Sequence, residues 1–391
     1  MRIVHVITRL IVGGAQENTL LSCEGQHDRG HDVTLITGPS EGPEGSLVPR
    51  AAGYGYRVEV VEEMKRSVLP VKDYRTYHRL VRRFRDLRPD VVHTHSSKAG
   101  IVGRWAADAA RVPVIVHTIH GLAFTASSSR MVNSAYKLLE RQTAPLTTKI
   151  ACVADAMRDA SLAANIGTPD QYVTVYSGMD TRAFVDPPVP RDVVRRQLGF
   201  EAEHVVVGTI ARLFHLKGHE DLLDEAPQLC ARFPNLRFLW VGDGLLREQF
   251  VRRMTDMNLR DRFVLTGLVP PDQIPQLVGA MDVVAHPSRR EGLARAIPQG
   301  SLGGKPVVTY DVDGNAEAIV EGRTGFAVRP FDRTALAERI ASLVADPARR
   351  AAMGTAGRAF ALARFDTKVM VDALEALYAD LLAAATRGGG R

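Results

Sequence analysis

The sequence predicts an α/β protein made of two doubly wound, Rossmann-like domains. Three observations carry that expectation. Short apolar runs of strand length alternate with helical stretches along most of the chain, as parallel sheets covered by helices require. The alternation breaks once, at the Pro-rich stretch VDPPVPRDVV (185–194), which reads as an interdomain linker, and then restarts. A length of 391 residues exceeds one ordinary core and suffices for two.

The first domain is expected over residues 1–185, with strands RIVHVI, HDVTLIT, YRVEVV, DVVHTH, VPVIVHTIHG, TTKIACVAD and YVTVYSG. Arg9 interrupts the opening segment MRIVHVITRLIVGGA and Gly13-Gly14 ends it, so it reads as strand and loop rather than a signal peptide. These two glycines precede a helix starting near Gln16. They either make a plain tight βα turn or let the backbone approach a phosphate closely, whose charge the helix N-terminus favours. No third glycine follows at dinucleotide-fingerprint spacing, which argues against NAD.

Residues 65–88 carry nine basic and two acidic side chains. Tyr77, Leu80, Val81, Phe84 and Leu87 recur at helical spacing and form one apolar face, with Arg75, Arg79, Arg82 and Arg83 largely off it. One reading is the solvated face of a packed helix. The other is contact with anionic lipid headgroups or a lipid-pyrophosphate acceptor. Aromatics are not interleaved for base stacking, which argues against nucleic acid. His93, His95, His117 and His120 all lie at strand ends. No nearby carboxylate or cysteine completes a metal set and strands fan out across a sheet, so most of them read as structural. His93 and His95 read as packing or acceptor-loop residues.

The second domain is expected over residues 186–366, with strands HVVVGTIARL, LRFLWVGDG, RFVLTGLV, DVVAHPS, KPVVTYDV and TGFAV. Helical periodicity follows over 332–348 and again over roughly 367–385. Arg212 and Lys217 follow the first of these strands; they read either as a solvated surface or as a forked donor and a point charge offered to an anion. The stretch from His286 to Tyr310 lies between two buried strands, and its loop PSRREG opens onto a helix. Backbone donors from Gly292 through Leu293 and Ala294 to Arg295, flanked by Glu291 and Gln299, suit a phosphorylated sugar. Asp311 and Asp313 have the spacing of an Asp-x-Asp metal motif.

Hydrophobic content of 45% and charged content of 24% indicate a soluble globular protein. The net charge of +6 permits an anionic partner without naming one. Cys23, Cys152 and Cys230 are far apart and odd in number, which fits a reducing compartment better than a disulfide framework or a zinc site. No run reaches the ~18–20 apolar residues of a transmembrane helix. The expected location is cytoplasmic, with peripheral contact at the inner face of the membrane if the basic helix is used.

Glu291, seven residues, Gln299 and the following GKPVVTYDVDGNAEAI resemble the donor-binding loop of retaining GT-B glycosyltransferases of glycosyltransferase family 4. That family carries a second Glu where this chain has Gln299. The R-x4-K-G of Arg212 and Lys217, the HG-x-x-F of His120, Gly121 and Phe124, the Gly13-Gly14 loop, Val241–Gly244 and Thr266–Val269 extend the resemblance over most of the chain. It implies two Rossmann-like domains facing a cleft, with the last helix (about 367–391) crossing back onto the first. It also implies retaining, metal-independent transfer from a nucleotide diphosphate sugar, UDP- ahead of GDP-, to the hydroxyl of a glycan or lipid-linked acceptor, with no cofactor.

By the same resemblance, catalysis falls on His120, Arg212, Lys217 and Glu291. His120 and Glu291 hold sugar hydroxyls, while the cationic pair stabilises the departing diphosphate. Donor binding falls on Gly13, Gly14, Gly242, Leu268, Gly292, Leu293, Ala294, Arg295 and Gln299, with backbone near Leu268 reading the base. The family's Gly-Asn loop holds no metal, so Asp311 and Asp313 are set aside. Gln299 can accept a hydrogen bond without charge and should grip the ribose more weakly than Glu. Two other classes fit the fold: a nucleotide-sugar epimerase, which needs further acid/base carboxylates, and a non-catalytic module binding nucleotide sugars or anionic surfaces.

Overall fold

A computed structural model describes residues 1–40, 45–124 and 129–387. The chain forms two compact units, Met1–Met179 with Thr367–Arg391, and Asp180–Asp366. The first holds a parallel sheet of β1 Arg2–Ile7, β2 Asp32–Thr37, β3 Arg57–Val60, β4 Val91–His95, β5 Val114–Ile119, β6 Lys149–Cys152 and β7 Tyr172–Thr174. Every strand coincides with one of the apolar runs. The order is β3-β2-β1-β4-β5-β6-β7. Central strands covered on both faces must be apolar throughout, and β4 is buried at every position. Between β1 and β4 the order reverses, so the loops leaving their carboxyl ends diverge and open a crevice there.

The helices of this unit are α1 Gly14–Asp28, α2 Val48–Ala52, α3 Pro70–Leu87, α4 Ser97–Ala109, α5 Arg130–Thr143 and α6 Asp155–Ala163. In α3, Leu80, Val81 and Phe84 are buried and Tyr77 and Leu87 pack beside them, as their spacing requires. Arg79 and Arg83 turn outward onto Glu63 and Glu59.

The second unit holds β8 Val205–Ile210, β9 Leu236–Val241, β10 Phe263–Leu265, β11 Val283–His286, β12 Val307–Tyr310 and β13 Gly325–Val328. Their order, β10-β9-β8-β11-β12-β13, reverses between β8 and β11. Its helices are α7 Arg182–Val185, α8 Arg191–Gln197, α9 His219–Arg232, α10 Arg247–Asp256, α11 Ile274–Ala280, α12 Ala296–Leu302, α13 Arg333–Ala345 and α14 Pro347–Phe365.

Three features differ from expectation. The first unit ends at Met179 rather than at 185. Residues 180–185 join the second unit because α7 packs on α11 and α12, Phe184 is buried, and the Thr181 hydroxyl donates to Asp366 at 2.5 Å. The Pro-rich stretch is no loose linker either. Arg191 donates to the carbonyls of Gly279 and Met281 at the end of α11, and both Arg191 and Arg195 pair with Asp282. Guanidinium forks there satisfy carbonyls that the helix end leaves open. Finally, α14 has no counterpart among the expected helices. Its inward face includes Gly354, Gly357 and Ala361, too small to raise an apolar signal, and a Cβ at Gly354 would lie 2.0 Å from the Gly304 carbonyl.

The last helix, α15 Thr367–Arg387, belongs to the first unit. Met370, Val371, Leu374 and Tyr378 complete a core with Ile3, Val91, Val114 and Val116. Among the described residues no helix is long and apolar enough to cross a membrane.

Leu374 is 3% exposed, so Leu374→Ala should cost the first unit about 2–5 kcal/mol in denaturant unfolding. Leu245→Ala, at a side chain 85% exposed, should stay within ~0.5 kcal/mol. Equal, small effects at both positions would show that α15 is not part of that core.

Candidate functional site

At the carboxyl ends of β8 and β11, two loops are sewn together through one carbonyl. The Leu216 carbonyl accepts from the Arg289 N–H at 2.9 Å and from the Ser288 hydroxyl at 3.0 Å. Beside it, Gly218 has φ 70, and a Cβ there would sit 1.8 Å from the Pro287 carbonyl oxygen. Only glycine allows that approach. The seam brings Lys217 Nζ to 2.5 Å from Glu291 Oε1. His286 Nε2 meets the same oxygen at 2.9 Å.

The Glu291 side chain is 15% exposed. Burial opposes its charge, but the His286 hydrogen bond and the Lys217 charge outweigh that and hold the carboxyl at about 2. Glu291 is therefore an anion at any physiological pH, with both named partners on one oxygen.

The loop carrying Glu291 is braced from the segment after β12. Asp313 accepts the Glu291 N–H at 2.7 Å, Gly314 donates to the Gly292 carbonyl at 2.8 Å, and Asn315 Oδ1 accepts the Ala294 N–H at 3.2 Å. Asn315 is fully buried and donates onward to Thr309 Oγ1. One expectation falls here: the Ala294 N–H cannot cradle a phosphate while Asn315 holds it. Arg289 is tied down in turn, pairing at 2.7 Å with Asp221, which also accepts from the Tyr310 hydroxyl.

The remaining candidates of this unit fall around the same sheet edge. Arg212 follows β8, exposed, its guanidinium over the Phe214 ring. Gly242 follows β9 with φ 139 and bridges to Gly267, and a Cβ on it would clash with the Ala211 carbonyl. Leu268, after β10, is 69% exposed. Gly292, Leu293 and Arg295 lie in the lead into α12. Gln299 sits on α12, half-buried, and its side chain makes no hydrogen bond among the described residues.

In the first unit the corresponding crevice lies after β1 and β4. Gly13 precedes α1 with extended backbone and Gly14 is its first residue. Thr8 and Ser96 hydroxyls meet at 2.7 Å across the reversal point. His120, just after β5, lines a cavity of about 290 Å³ with Ala15, Ser96, Thr118, Phe124 and Glu140.

The expectation that the histidines fan apart is corrected. In the β1–β4 register His5 stands opposite His93, and the ligand atoms of His5, His93 and His95 lie within 4.8 Å of one another. These nitrogens are already engaged. His5 Nδ1 and His95 Nε2 meet at 2.9 Å, while Tyr378 and Thr118 hold His93.

His5, His286 and Asn315 were not singled out from sequence, and Asp313 only as half of a metal motif that was set aside. His286 stood five residues before Glu291 at a strand's last position, which was a usable signal. Asn315 and Asp313 gain meaning only from a contact across a loop.

Two family models match the chain. One described as "Glycosyl transferases group 1" covers residues 190–360, and one described as "Glycosyl transferase 4-like domain" covers residues 13–178. The Escherichia coli UDP-Gal:alpha-D-GlcNAc-diphosphoundecaprenol alpha-1,3-galactosyltransferase is 29% identical over 335 residues, 85% of each chain. The D-inositol 3-phosphate glycosyltransferase of Segniliparus rotundus is 30% identical over 316 residues, 77% of this chain and 68% of that one. The crystal structure of Anabaena HepE in complex with UDP superposes with a TM-score of 0.83 at 25% identity, over 97% of this chain and 100% of that chain.

A carboxyl held at about 2 when folded, against an ordinary ~4.3 when unfolded, stabilises the fold fully above pH ~5. That contribution fades as pH falls through 2. Carbonyl-detected NMR of Glu291 should give an apparent value near 2, and Lys217→Met should raise it. An ordinary value in the wild type would remove the shared-oxygen arrangement.

Proposed function

We propose that this chain, which belongs to the GT-B glycosyltransferases of the family 4 type and acts on nucleotide sugars, moves a hexosyl group from a UDP-sugar to an acceptor hydroxyl with retention and without metal. The observation that carries this reading is the Lys217–Glu291 pair at the seam of the two loops. In a nucleotide sugar the hydroxyl-bearing ring and the anionic diphosphate are neighbours across the anomeric carbon. An ammonium and a carboxylate side by side match those two neighbours.

In this reading Glu291 accepts hydrogen bonds from sugar hydroxyls through Oε2, the oxygen that Lys217 and His286 leave. The bond between the anomeric carbon and the diphosphate breaks, and its electron pair leaves with the diphosphate. Lys217 and Arg212 neutralise that charge, a contribution of several kcal/mol, order of magnitude. The acceptor oxygen bonds to the anomeric carbon on the same face, and its proton goes to the departing diphosphate. His120 contacts sugar hydroxyls, Gly13, Gly14, Leu293 and Arg295 face phosphates, and Gln299 accepts from the ribose. Metal-free transfer is favoured because Lys217 and Arg212 already offer fixed cations to the leaving diphosphate.

UDP is favoured because the E. coli relative is named for UDP-Gal and the Anabaena structure holds UDP. A lipid-linked acceptor is favoured by that relative's diphosphoundecaprenol substrate. It is also favoured by the start of α3, where Val68, Val71 and Tyr74 are 73%, 66% and 66% exposed beside exposed Arg66, Lys72 and Arg75. Apolar side chains among cations suit an anionic bilayer surface. The proposed location is cytoplasmic, peripheral at the inner face of the membrane.

Purified protein in EDTA, offered UDP-, GDP- and ADP-sugars with membrane extract, should release UDP from one UDP-sugar. Glu291→Ala should nearly abolish release, and Gln299→Glu should stay within about tenfold, ~1.4 kcal/mol. Release only with added divalent metal, or only from a GDP-sugar, would overturn the corresponding part. A new nucleotide sugar formed without acceptor would point to an epimerase instead.

Vesicles rich in anionic lipid should co-sediment the protein at low salt. Binding should fall severalfold in the double variant Val71→Asp, Tyr74→Asp and again as salt rises. Indifference to both would remove membrane contact from the proposal.

A further inference from the structure

Behind His120, a line of buried hydrogen bonds runs back through the sheet to the first helix. His120 Nε2 lies 3.0 Å from His95 Nδ1, His95 Nε2 lies 2.9 Å from His5 Nδ1, and His5 Nε2 lies 2.8 Å from Gln26 Oε1. Successive rings stack, His5 on His95 at 17° and His95 on His120 at 29°. His5, His95 and Gln26 are wholly buried. Burial lowers His5 to about 4 despite its bond to Gln26. Burial and the neighbouring imidazoles lower His95 as well.

A neutral imidazole carries one donor and one acceptor. The amide oxygen of Gln26 can only accept, so His5 donates from Nε2. Its Nδ1 then accepts from His95 Nε2–H, and His95 Nδ1 accepts from His120 Nε2–H. One end of the line thus dictates the proton position at the other. The geometry points to a tautomer relay: we propose that Gln26, His5 and His95 are positioning residues that hold His120, the ring lining the cavity, in its Nε2–H form. The catalytic consequence rests on the reading that His120 touches the sugar.

The neighbouring His93 stands outside the relay. Its Nδ1 meets the Tyr378 hydroxyl at 2.5 Å and its Nε2 meets Thr118 Oγ1 at 2.6 Å. It offers an internal control, equally buried and equally hydrogen-bonded, with no bond to His120. A metal ion on His5, His93 and His95 would have to break the His5–His95 bond and take a nitrogen from Tyr378 or Thr118.

Long-range 1H–15N correlation spectra of the full chain labelled at histidine read the tautomers directly. His5 and His95 should be neutral Nε2–H forms at pH 7, and His120 should carry a proton on Nε2. Nδ1–H forms along the line would reverse its polarity and overturn the proposal, as would a mixed form at His120 or stoichiometric zinc uptake that shifts these signals. Gln26→Leu should mix the His120 tautomers and lower kcat about tenfold, the effect of about one hydrogen bond. Thr94→Val, which removes an equally buried bond to His117 Nδ1 at 2.9 Å outside the line, should leave His120 as Nε2–H and kcat at wild type. Equal losses in the two variants would mean that packing, not the tautomer, was disturbed, and the relay would fall. His120→Ala tests the underlying reading separately: near-normal transfer would remove His120 from the site whatever the spectra say. Loss in His120→Ala with Gln26→Leu unaffected would sink the relay alone. If Gln26→Leu does not fold, the wild-type spectra still decide.

Discussion

The pairing of β8 with β11 in parallel is the constraint on which the candidate site depends. Val207 faces Val283 and Gly208 faces Val284, so both strands end at one edge of the sheet. A slip of one residue would displace one loop against the other by ~3.3 Å, more than the length of any hydrogen bond in the seam. The Leu216 carbonyl would then lose both its donors, and Gly218 would lose its place against Pro287. Strand pairing comes first, the seam follows from it, and the meeting of Lys217 with Glu291 follows from the seam.

That meeting has a chemical logic beyond stability. A lysine on a loop is ordinarily a mobile point charge with much rotamer entropy to lose. Resting on Glu291, it is already ordered and partly desolvated. His286 shares Oε1, so the carboxylate has a second partner in a buried setting, where an unpaired ion is costly. The brace from Asp313 and Asn315 holds the peptide that carries this carboxylate.

Much of this was legible in the chain itself. Every strand among the described residues stands where an apolar run of the right length predicted it, because a strand buried on both faces tolerates little else. Lys217 and Glu291 could be singled out, and so could the apolar face of α3, because each sits at a recognisable offset from a strand or along a helix. What escaped shares a different cause. The small inward residues of α14, the packing of α7 on α11 and α12, and the hold of Arg191 and Arg195 on Asp282 all depend on a partner distant in sequence. Ala294 looked like a phosphate donor only while Asn315, twenty-one positions on, was unaccounted for.

The histidines mark the division most clearly. Local pattern sufficed to place His5, His93, His95 and His120 on or just after strands, and to separate His120 from the others by its HG-x-x-F setting. Whether four imidazoles ligate a metal, pack inertly or pass a proton pattern along a line depends on which strands are neighbours, in what register, and what lies on the helix above. Composition and periodicity are properties of one segment at a time, and they determined the class and most of the elements, while motif resemblance pointed to the family. Hydrogen-bond direction is a property of atoms brought together from several segments, and only the tertiary structure decided that Gln26 on α1 stands at the head of a line ending at His120.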